Sequence, residues 1–248
     1  MLYSVEQLTG FKIEGTDGEV GKVHEFYFDD HSWKIRYVIV DTGGWLPGRR
    51  VLLAPAALKQ PDRKEKHLPV KLTTDQIKNS PEIRREEPVS RQKEIDMLEY
   101  YQWPIYWDIG AVHVPSTNYV LAREVAEKRA ANKPEEIGDP HLRSTNEVNG
   151  YHIQAVDEEI GHVEDFIIDV NNWDVRFMVI DTRNWLPGKK VVIAPRWIKD
   201  VNWAESKVMV DLAKEQIKES PEYKSAKKLD EEYVSRVYSH YGKKPHWK

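Results

Sequence analysis

The chain has no cysteine, and this absence removes several chemistries at once. None of its 248 residues can form a disulfide, act as a thiolate nucleophile or ligate a metal through a cysteine sulfur. The nine histidines show neither HxxxH nor HExxH spacing, so the sequence indicates no zinc site. We therefore predict that the protein holds no metal.

Long hydrophobic runs and a large net charge are also missing. No stretch approaches the ~20 apolar residues of a membrane-spanning helix, and no secretory signal opens the chain. Lys and Arg total 37 against 41 Asp and Glu, a net charge of −4. Proteins that bind duplex nucleic acid usually carry a clustered basic face, so this balance disfavours nucleic acid as a partner without excluding a local basic patch. We expect a cytoplasmic protein without a membrane span.

An internal repeat with a spacing of 140 residues organises what the chain does contain. Residues 2–83 align with residues 142–223 without a gap, and 31 of the 82 aligned pairs are identical. Two copies of one unit predict two like domains. We place the first copy at 1–107, a partly helical linker at 108–140 and the second copy at 141–248.

Short β-strands rich in aromatic and β-branched residues dominate each copy. The strand that begins at Trp33 follows a four-residue turn, which is typical of an antiparallel hairpin. If that turn is centred on its third residue, Phe26 lies opposite Arg36. Gly21 and Gly161 interrupt a strand pattern, so we expect a β-bulge or sharp bend at both. Strongly bent, short antiparallel strands predict a small barrel.

Helices are predicted at the edges of each copy. A capping-box pattern opens both copies, at Ser4 and Ser144. Longer helices are predicted at 89–101 and 229–241, and the linker carries another at 119–132. In the helix at 229–241, large side chains recur four residues apart and form one face that can dock on the barrel. They are Leu229, Tyr233, Val237 and Tyr241.

Two aspartates, Asp41 and Asp181, are each followed by threonine at a strand end. Acid–base catalysis needs a second positioned group, and none lies near in sequence. We therefore favour a structural role, in which the side chains bind backbone amides of the next loop. The glycines at 15–21 superficially match a dinucleotide loop, but no helix follows them. We predict no catalytic residue and no cofactor, and hence a protein that is not an enzyme.

Aromatic and basic residues recur together in the second strand of the hairpin. Trp33 and Trp173 are expected to be substantially buried beside cross-strand neighbours. Arg36 and Arg176 lie in otherwise apolar strands. They could bind an anion, but we favour packing on an aromatic ring or pairing with a carboxylate.

The two Trp-Leu-Pro-Gly loops and the cations after them are the best candidates for partner binding. Their residues are Trp45, Leu46, Pro47, Arg49 and Arg50 in the first copy, and Trp185, Leu186, Pro187, Lys189 and Lys190 in the second. Tryptophan beside positive charge is the composition of interface hot spots. The alternative, which we favour, is internal packing of the loops, since nine tryptophans cannot all be exposed.

These segments resemble the PRC-barrel family, and in particular its tandem bacterial members. The resemblance rests on Trp33-x-Ile-Arg-Tyr-Val-Ile-Val-Asp-Thr and Trp45-Leu-Pro-Gly-Arg-Arg-Val-Leu-Leu-Ala-Pro, on their counterparts at 173–195, and on the closing runs at 72–82 and 212–222. It implies a mainly β protein built from two small, strongly curved antiparallel barrels with short helical appendages.

The family resemblance also implies a class of function. Known members include the cytoplasmic domain of the photosynthetic reaction-centre H subunit and the C-terminal domain of a ribosome-maturation protein, both of them binding and assembly modules. The resemblance thus implies a non-enzymatic adaptor for a protein partner, with a homo-oligomer as a further option. The alternatives are an RNA-associated or ribosome-assembly factor, favoured if Arg49–Arg50 and Lys189–Lys190 form one basic face, and a reaction-centre accessory protein.

Overall fold

The computed structural model describes most of the chain and divides it into two compact units. The described residues are 1–47, 49–84, 89–107, 117–132, 139, 141–182, 189–226 and 229–244. Unit I comprises Met1–Gly10, Glu25–Ile35 and Arg143–Lys248, and unit II comprises Phe11–His24 and Arg36–Leu142. The units therefore do not follow the contiguous copies. The ranges 1–107, 108–140 and 141–248 describe the repeat, and their status as domains stays a prediction.

The secondary structure repeats with the same spacing as the sequence. The first copy and the linker contain β1 (Leu2–Ser4), α1 (Val5–Leu8), β2 (Lys12–Glu14), β3 (Glu19–Asp29), β4 (Lys34–Asp41), β5 (Arg49–Leu53), β6 (His67–Pro69), α2 (Thr74–Lys78), β7 (Ile83–Arg84), α3 (Arg91–Tyr101) and α4 (Tyr119–Asn132). The second copy contains β8 (Leu142–Ser144), α5 (Thr145–Val148), β9 (His152–Gln154), β10 (Glu159–Asp169), β11 (Asp174–Asp181), β12 (Lys190–Ile193), β13 (Ile198–Asn202), β14 (Lys207–Val210), α6 (Lys214–Glu219) and α7 (Glu231–His240). The predicted linker helix is confirmed.

The protein is mainly β, with a curled sheet of short strands, as predicted. In the second copy β10 pairs antiparallel with β9 and β11, and β11 pairs antiparallel with β12. The first copy repeats this pattern in the pairs β2–β3 and β4–β5. One pair in each copy is parallel, β2–β6 and β9–β14, which the expectation of purely antiparallel strands missed.

Gly21 and Gly161 occupy sites where a side chain cannot fit. Their φ angles are +154° and +142°. A Cβ atom at Gly21 would lie 2.2 Å from the carbonyl oxygen of Asp41, and one at Gly161 would lie 2.0 Å from that of Asp181. The β9–β10 register shifts between Glu159 and Gly161, so the expected bulge is present there.

The second strand of each hairpin begins one residue later than predicted. Trp33 and Trp173 have φ angles of +54° and +58°, so each ends the turn in a left-handed conformation and the strand begins one residue later. In the second copy Phe166, the counterpart of Phe26, faces Met178 rather than Arg176. A register shift after Ile167 leaves Arg176 as the extra residue of a bulge. The predicted opposition of Phe26 and Arg36 belongs to the first hairpin and stays a prediction.

Unit I is completed by residues from the first copy. Strand β1 pairs antiparallel with β10, with Tyr3 opposite Ile168. The Asp165 carboxylate accepts hydrogen bonds from the backbone N–H groups of Glu6, at 3.1 Å, and of Phe166, at 2.8 Å. Because Glu6 lies in the first turn of α1, the carboxylate also binds the N-terminus of that helix.

The counterpart segment of the second copy makes the reciprocal contacts within unit I. Ser144 donates its hydroxyl hydrogen bond to the Glu25 carboxylate. The Phe26 N–H donates to the Thr145 hydroxyl at 3.2 Å. Each N-terminal segment therefore lies against the long strand of the other copy.

The helix caps and helix faces agree closely with the sequence patterns. Ser4 and Gln7 form the full capping box at α1, whereas Ser144 caps α5 without a reciprocal bond, since the Glu147 carboxylate accepts from Tyr151 instead. The expected apolar face of the C-terminal helix, Leu229, Tyr233, Val237 and Tyr241, is buried. Across the described residues, no helix combines the length and apolar character needed to cross a membrane.

Candidate interaction surface

The Trp-Leu-Pro-Gly loop of the first copy holds a partly exposed tryptophan in a fixed position. The indole N–H of Trp45 donates to the carbonyl oxygen of Val20 at 2.7 Å, yet 40% of Trp45 is exposed. Leu46 is buried and Pro47 is exposed. The loop is therefore anchored on its own unit while part of the Trp45 side chain and Pro47 are exposed to solvent. Trp185, Leu186 and Pro187 lie outside the described residues.

The first cation after each loop caps a helix. The Arg49 guanidinium donates to the carbonyl oxygens of Lys78, at 2.7 Å, and Ser80, at 2.8 Å, at the C-terminus of α2. Lys189 donates to the carbonyl oxygen of Lys218 near the end of α6. Helix C-termini carry unpaired carbonyls and partial negative charge, so both contacts are structurally favourable.

The second cation of each pair lies half-buried at the start of a strand. Lys190 forms an ion pair with Glu164, with its Nζ atom 2.6 Å from Oε1. Arg50 also has interaction partners in the structure. The Lys190 ammonium is thus engaged by a carboxylate of its own unit.

The strand arginines and tryptophans have distinct surroundings in the two copies. Arg36 lies over the ring of Tyr106, with its guanidinium carbon 3.9 Å from the ring centroid. Arg176 is half-buried in the bulge of β11. Trp173 is buried, whereas Trp33 is half-buried and stacks on Phe28, with ring centroids 5.2 Å apart.

The two strand-end aspartates belong to loop structure. The Asp41 carboxylate accepts from the backbone N–H of Gly43 at 3.0 Å. Asp181 is buried, and the hydroxyl of the next residue, Thr182, donates to the carbonyl oxygen of Lys189 at 2.7 Å. These contacts are the kind expected for Asp and Thr at the start of a tight loop.

A shallow cavity in unit II has a volume of 250 Å³ and a mixed-charge lining of Lys12, Glu14, Glu19, Glu65 and His67. His67 Nε2 lies 2.9 Å from the Glu14 carboxylate. At the equivalent parallel strand pair of the second copy, His152 and Lys207 replace Lys12 and His67. The histidine and lysine have exchanged strands, while Gln154 replaces the acidic Glu14.

A buried ionic cluster in unit II was missed by the sequence reasoning. The hydroxyls of Tyr37 and Tyr106 donate to one carboxylate oxygen of Glu94, at 2.8 and 2.5 Å. The Arg91 guanidinium bridges the other oxygen of Glu94, at 3.2 Å, and the Asp139 carboxylate, at 2.7 Å. The side chains of both acids are fully buried. We call these five residues the Glu94 cluster.

The sequence contains one signal of this cluster. The second copy has Phe177 and Val234 at the positions of Tyr37 and Glu94, so a hydroxyl and a carboxylate appear together in one copy and disappear together in the other. Comparison of the two copies could therefore have shown that Glu94 replaces an apolar residue on a helix face and that a tyrosine replaces a phenylalanine at the same time. Asp139 could not be found in this way, because it lies in the linker and has no counterpart.

Comparison with known families accounts for the duplicated fold. The family model described as PRC-barrel domain matches residues 2–77 and again residues 141–217, which together exceed half of the chain. No curated protein matches the chain. The paired matches coincide with the two sets of repeated strands described above. The chain therefore belongs to the PRC-barrel family, with two such domains in tandem.

Proposed function

We propose that this protein is a non-enzymatic adaptor that binds a protein partner through the exposed side of the Trp45 loop. The observation that supports this proposal is the geometry of Trp45, whose indole is held by a 2.7 Å hydrogen bond while 40% of the residue is exposed. An isolated exposed aromatic needs no explanation, but one fixed beside an exposed proline has the properties of an interface anchor.

The physical advantage of this arrangement is entropic. A tryptophan whose ring is already fixed loses little rotational freedom when a partner covers it. The buried side chain of Leu46 secures the loop beneath it, so the loop itself needs little reordering. Preorganisation of this kind raises affinity without new contacts.

The cations that follow the two Trp-Leu-Pro-Gly segments argue for a protein partner rather than RNA. Phosphate binding requires cations whose donors can reach the ligand. The guanidinium of Arg49 donates to helix carbonyls, and the ammonium of Lys190 pairs with Glu164. We therefore rank RNA binding and ribosome assembly below the adaptor role.

Trp45→Ala in the full chain tests the proposal, with Tyr100→Ala as the matched control. Tyr100 is 41% exposed in the same unit, so both variants remove a similarly exposed aromatic ring. Tagged proteins expressed in the native cell are captured, and the bound proteins are quantified by mass spectrometry. We expect Trp45→Ala to lose specific partners that wild type and Tyr100→Ala retain.

Two further measurements make this result decisive. Urea unfolding must show that Trp45→Ala remains folded, and light scattering reports any self-association through the loop. A smaller molar mass of Trp45→Ala than of wild type in light scattering would identify the partner as a second copy of the chain. Retention of every partner and of the native mass by a folded Trp45→Ala protein would refute the proposal.

A further inference from the structure

The Glu94 cluster joins the segments on either side of the linker helix α4 to one helix, α3. Tyr106 lies just after α3, and Asp139 lies just before β8, with the linker helix α4 between them in sequence. The Tyr106 hydroxyl donates to Glu94, and the Asp139 carboxylate pairs with Arg91. The backbone N–H of Asp139 also donates to the carbonyl oxygen of Val89 at 2.9 Å.

The cluster is not a requirement of the fold. In the second copy the helix position of Glu94 is Val234, the position of Arg91 is Glu231, and the position of Tyr37 is Phe177. Val234 and Phe177 are buried there without a titratable group, and α7 still docks its apolar face. A solution without an acid at this helix position therefore exists within the same chain, where Phe177 packs against Tyr238 with ring centroids 6.2 Å apart. It avoids the cost of burying a carboxylate there.

We propose that the Glu94 cluster is a pH-sensitive latch, which holds Tyr106 and Asp139 on α3 while Glu94 is protonated and loosens them when Glu94 ionises.

The charges in the cluster give the latch its direction. With Glu94 neutral, the buried site contains one cation, Arg91, and one anion, Asp139. Ionisation of Glu94 places a second carboxylate on the same guanidinium in a site with little access to water, which costs free energy. Release of Asp139 or Tyr106 admits water and relieves that cost.

The other groups that face Glu94 do not reverse this direction. From β4, the Tyr37 hydroxyl donates to Glu94, and Arg36 lies over the Tyr106 ring rather than on the carboxylate. Burial raises the pKa of Tyr37 and of Tyr106 well above the usual value, so both stay neutral donors. Burial, with a further contribution from Asp139, raises the pKa of Glu94 to about 8, although Arg91 and the two hydroxyls oppose the shift.

The sign of the pH dependence follows from linkage. In the closed latch Glu94 binds a proton. In the open latch the pKa of Glu94 is near the ordinary carboxyl value, so Glu94 releases that proton. The closed state is therefore favoured at low pH and loses stability as pH rises toward 8. Each pH unit in this window changes the equilibrium up to tenfold.

Hydrogen–deuterium exchange of the full chain at pH 6.5 and 8.5, corrected for intrinsic exchange rates, tests the latch. We expect exchange in peptides that cover residues 103–107 and 139–144 to rise about tenfold or more at the higher pH. Helix α7 provides an internal control, because it carries Val234 in place of Glu94. Helix α4 is a second control, since Arg123 holds it to α3 through separate ion pairs with Asp96 and Glu99.

Two variants separate the latch from general loosening. Glu94→Gln keeps a neutral side chain of the same shape and should make exchange in the 103–107 and 139–144 peptides independent of pH. Asp139→Asn removes the second carboxylate and should also weaken the pH dependence, which serves if Glu94→Gln does not fold. Equal wild-type protection at the two pH values, or an unchanged pH response in a folded Glu94→Gln protein, would overturn the proposal.

Discussion

Single side chains in the two copies often differ while the contact that they make is the same. Tyr100 donates its hydroxyl hydrogen bond to the carbonyl oxygen of Gln76 at 3.0 Å, and His240 contacts that of Gln216 at 2.6 Å. Since a carbonyl only accepts, the His240 Nε2 atom must carry the proton. Duplication has therefore preserved the place of a donor rather than its chemical type.

At the residue scale, Gly161→Ala should destabilise the protein by about 3 kcal/mol or more. The new Cβ would lie 2.0 Å from the carbonyl oxygen of Asp181, so a strand must move, and the φ of +142° adds strain. Gly150→Ala is the matched control, because its φ is +92° but nothing lies within 4 Å of the new atom. It should cost only about 1–2 kcal/mol. Similar urea midpoints for the two variants would contradict a steric role for Gly161.

The Asp165 carboxyl group also makes a pH-dependent contribution to the stability of the folded protein. Burial raises its pKa to about 6, against hydrogen bonds from Glu6 and Phe166 that lower it. The folded state thus holds a proton that the unfolded state releases, and this stabilisation is lost as pH rises from about 4 to about 6. Asp165→Asn should therefore gain stability relative to wild type over that interval, by on the order of 1–3 kcal/mol.

Asp157 provides a control of opposite sign for this prediction. Its carboxylate accepts from the backbone N–H of Lys214 at 2.9 Å, and this bond lowers its pKa. Its contribution to the stability of the folded protein is present above pH 4 and is lost on acidification. Asp157→Asn should accordingly lose stability relative to wild type as pH rises through 4. Parallel pH trends in the two variants, measured by urea unfolding, would show that the Asp165 assignment is wrong.

At the element scale, each copy uses the first cation after its Trp-Leu-Pro-Gly segment to contact the end of a short helix. The guanidinium of Arg49 binds carbonyls at the end of α2, and the ammonium of Lys189 binds one at the end of α6. Helices of five or six residues are too short to be stable alone. Such caps and the docked C-terminal helices therefore hold them in place.

Arg49→Met should cost about 1–2 kcal/mol, because it removes the hydrogen bonds to α2 but keeps most of the apolar stem. Arg49→Lys should retain part of this stability, since lysine performs the same role at position 189. Urea midpoints of the two variants provide the comparison. If the lysine variant is no more stable than the methionine variant, the capping role is refuted.

For the whole molecule, the local elements could be predicted from sequence and the long-range assembly could not. The helix at 119–132 and the bulge at Gly161 follow from spacing, capping and the special backbone freedom of glycine. The parallel pairing of β2 with β6 and the placement of β1 on β10 depend on contacts far apart in sequence, which no periodic pattern encodes. The Glu94 cluster could not be predicted for a similar reason, because one of its members, Asp139, lies in the linker.

The exchange of N-terminal segments within unit I leads to the final prediction, that an excised second copy, residues 141–248, forms a dimer. Alone, this fragment lacks the β1 segment that covers β10 in the full chain. Its own segment at 142–146 is the counterpart of that β1 segment. In the full chain the Ser144 hydroxyl donates to the Glu25 carboxylate, and in the fragment it can donate to Asp165, the counterpart of Glu25, on a second molecule. Two fragments can therefore complete each other by reciprocal exchange.

Light scattering should give twice the monomer mass, and a fragment that begins at residue 151 should remain monomeric and less stable. A stable monomer of 141–248 would show that β10 does not need a segment from another copy.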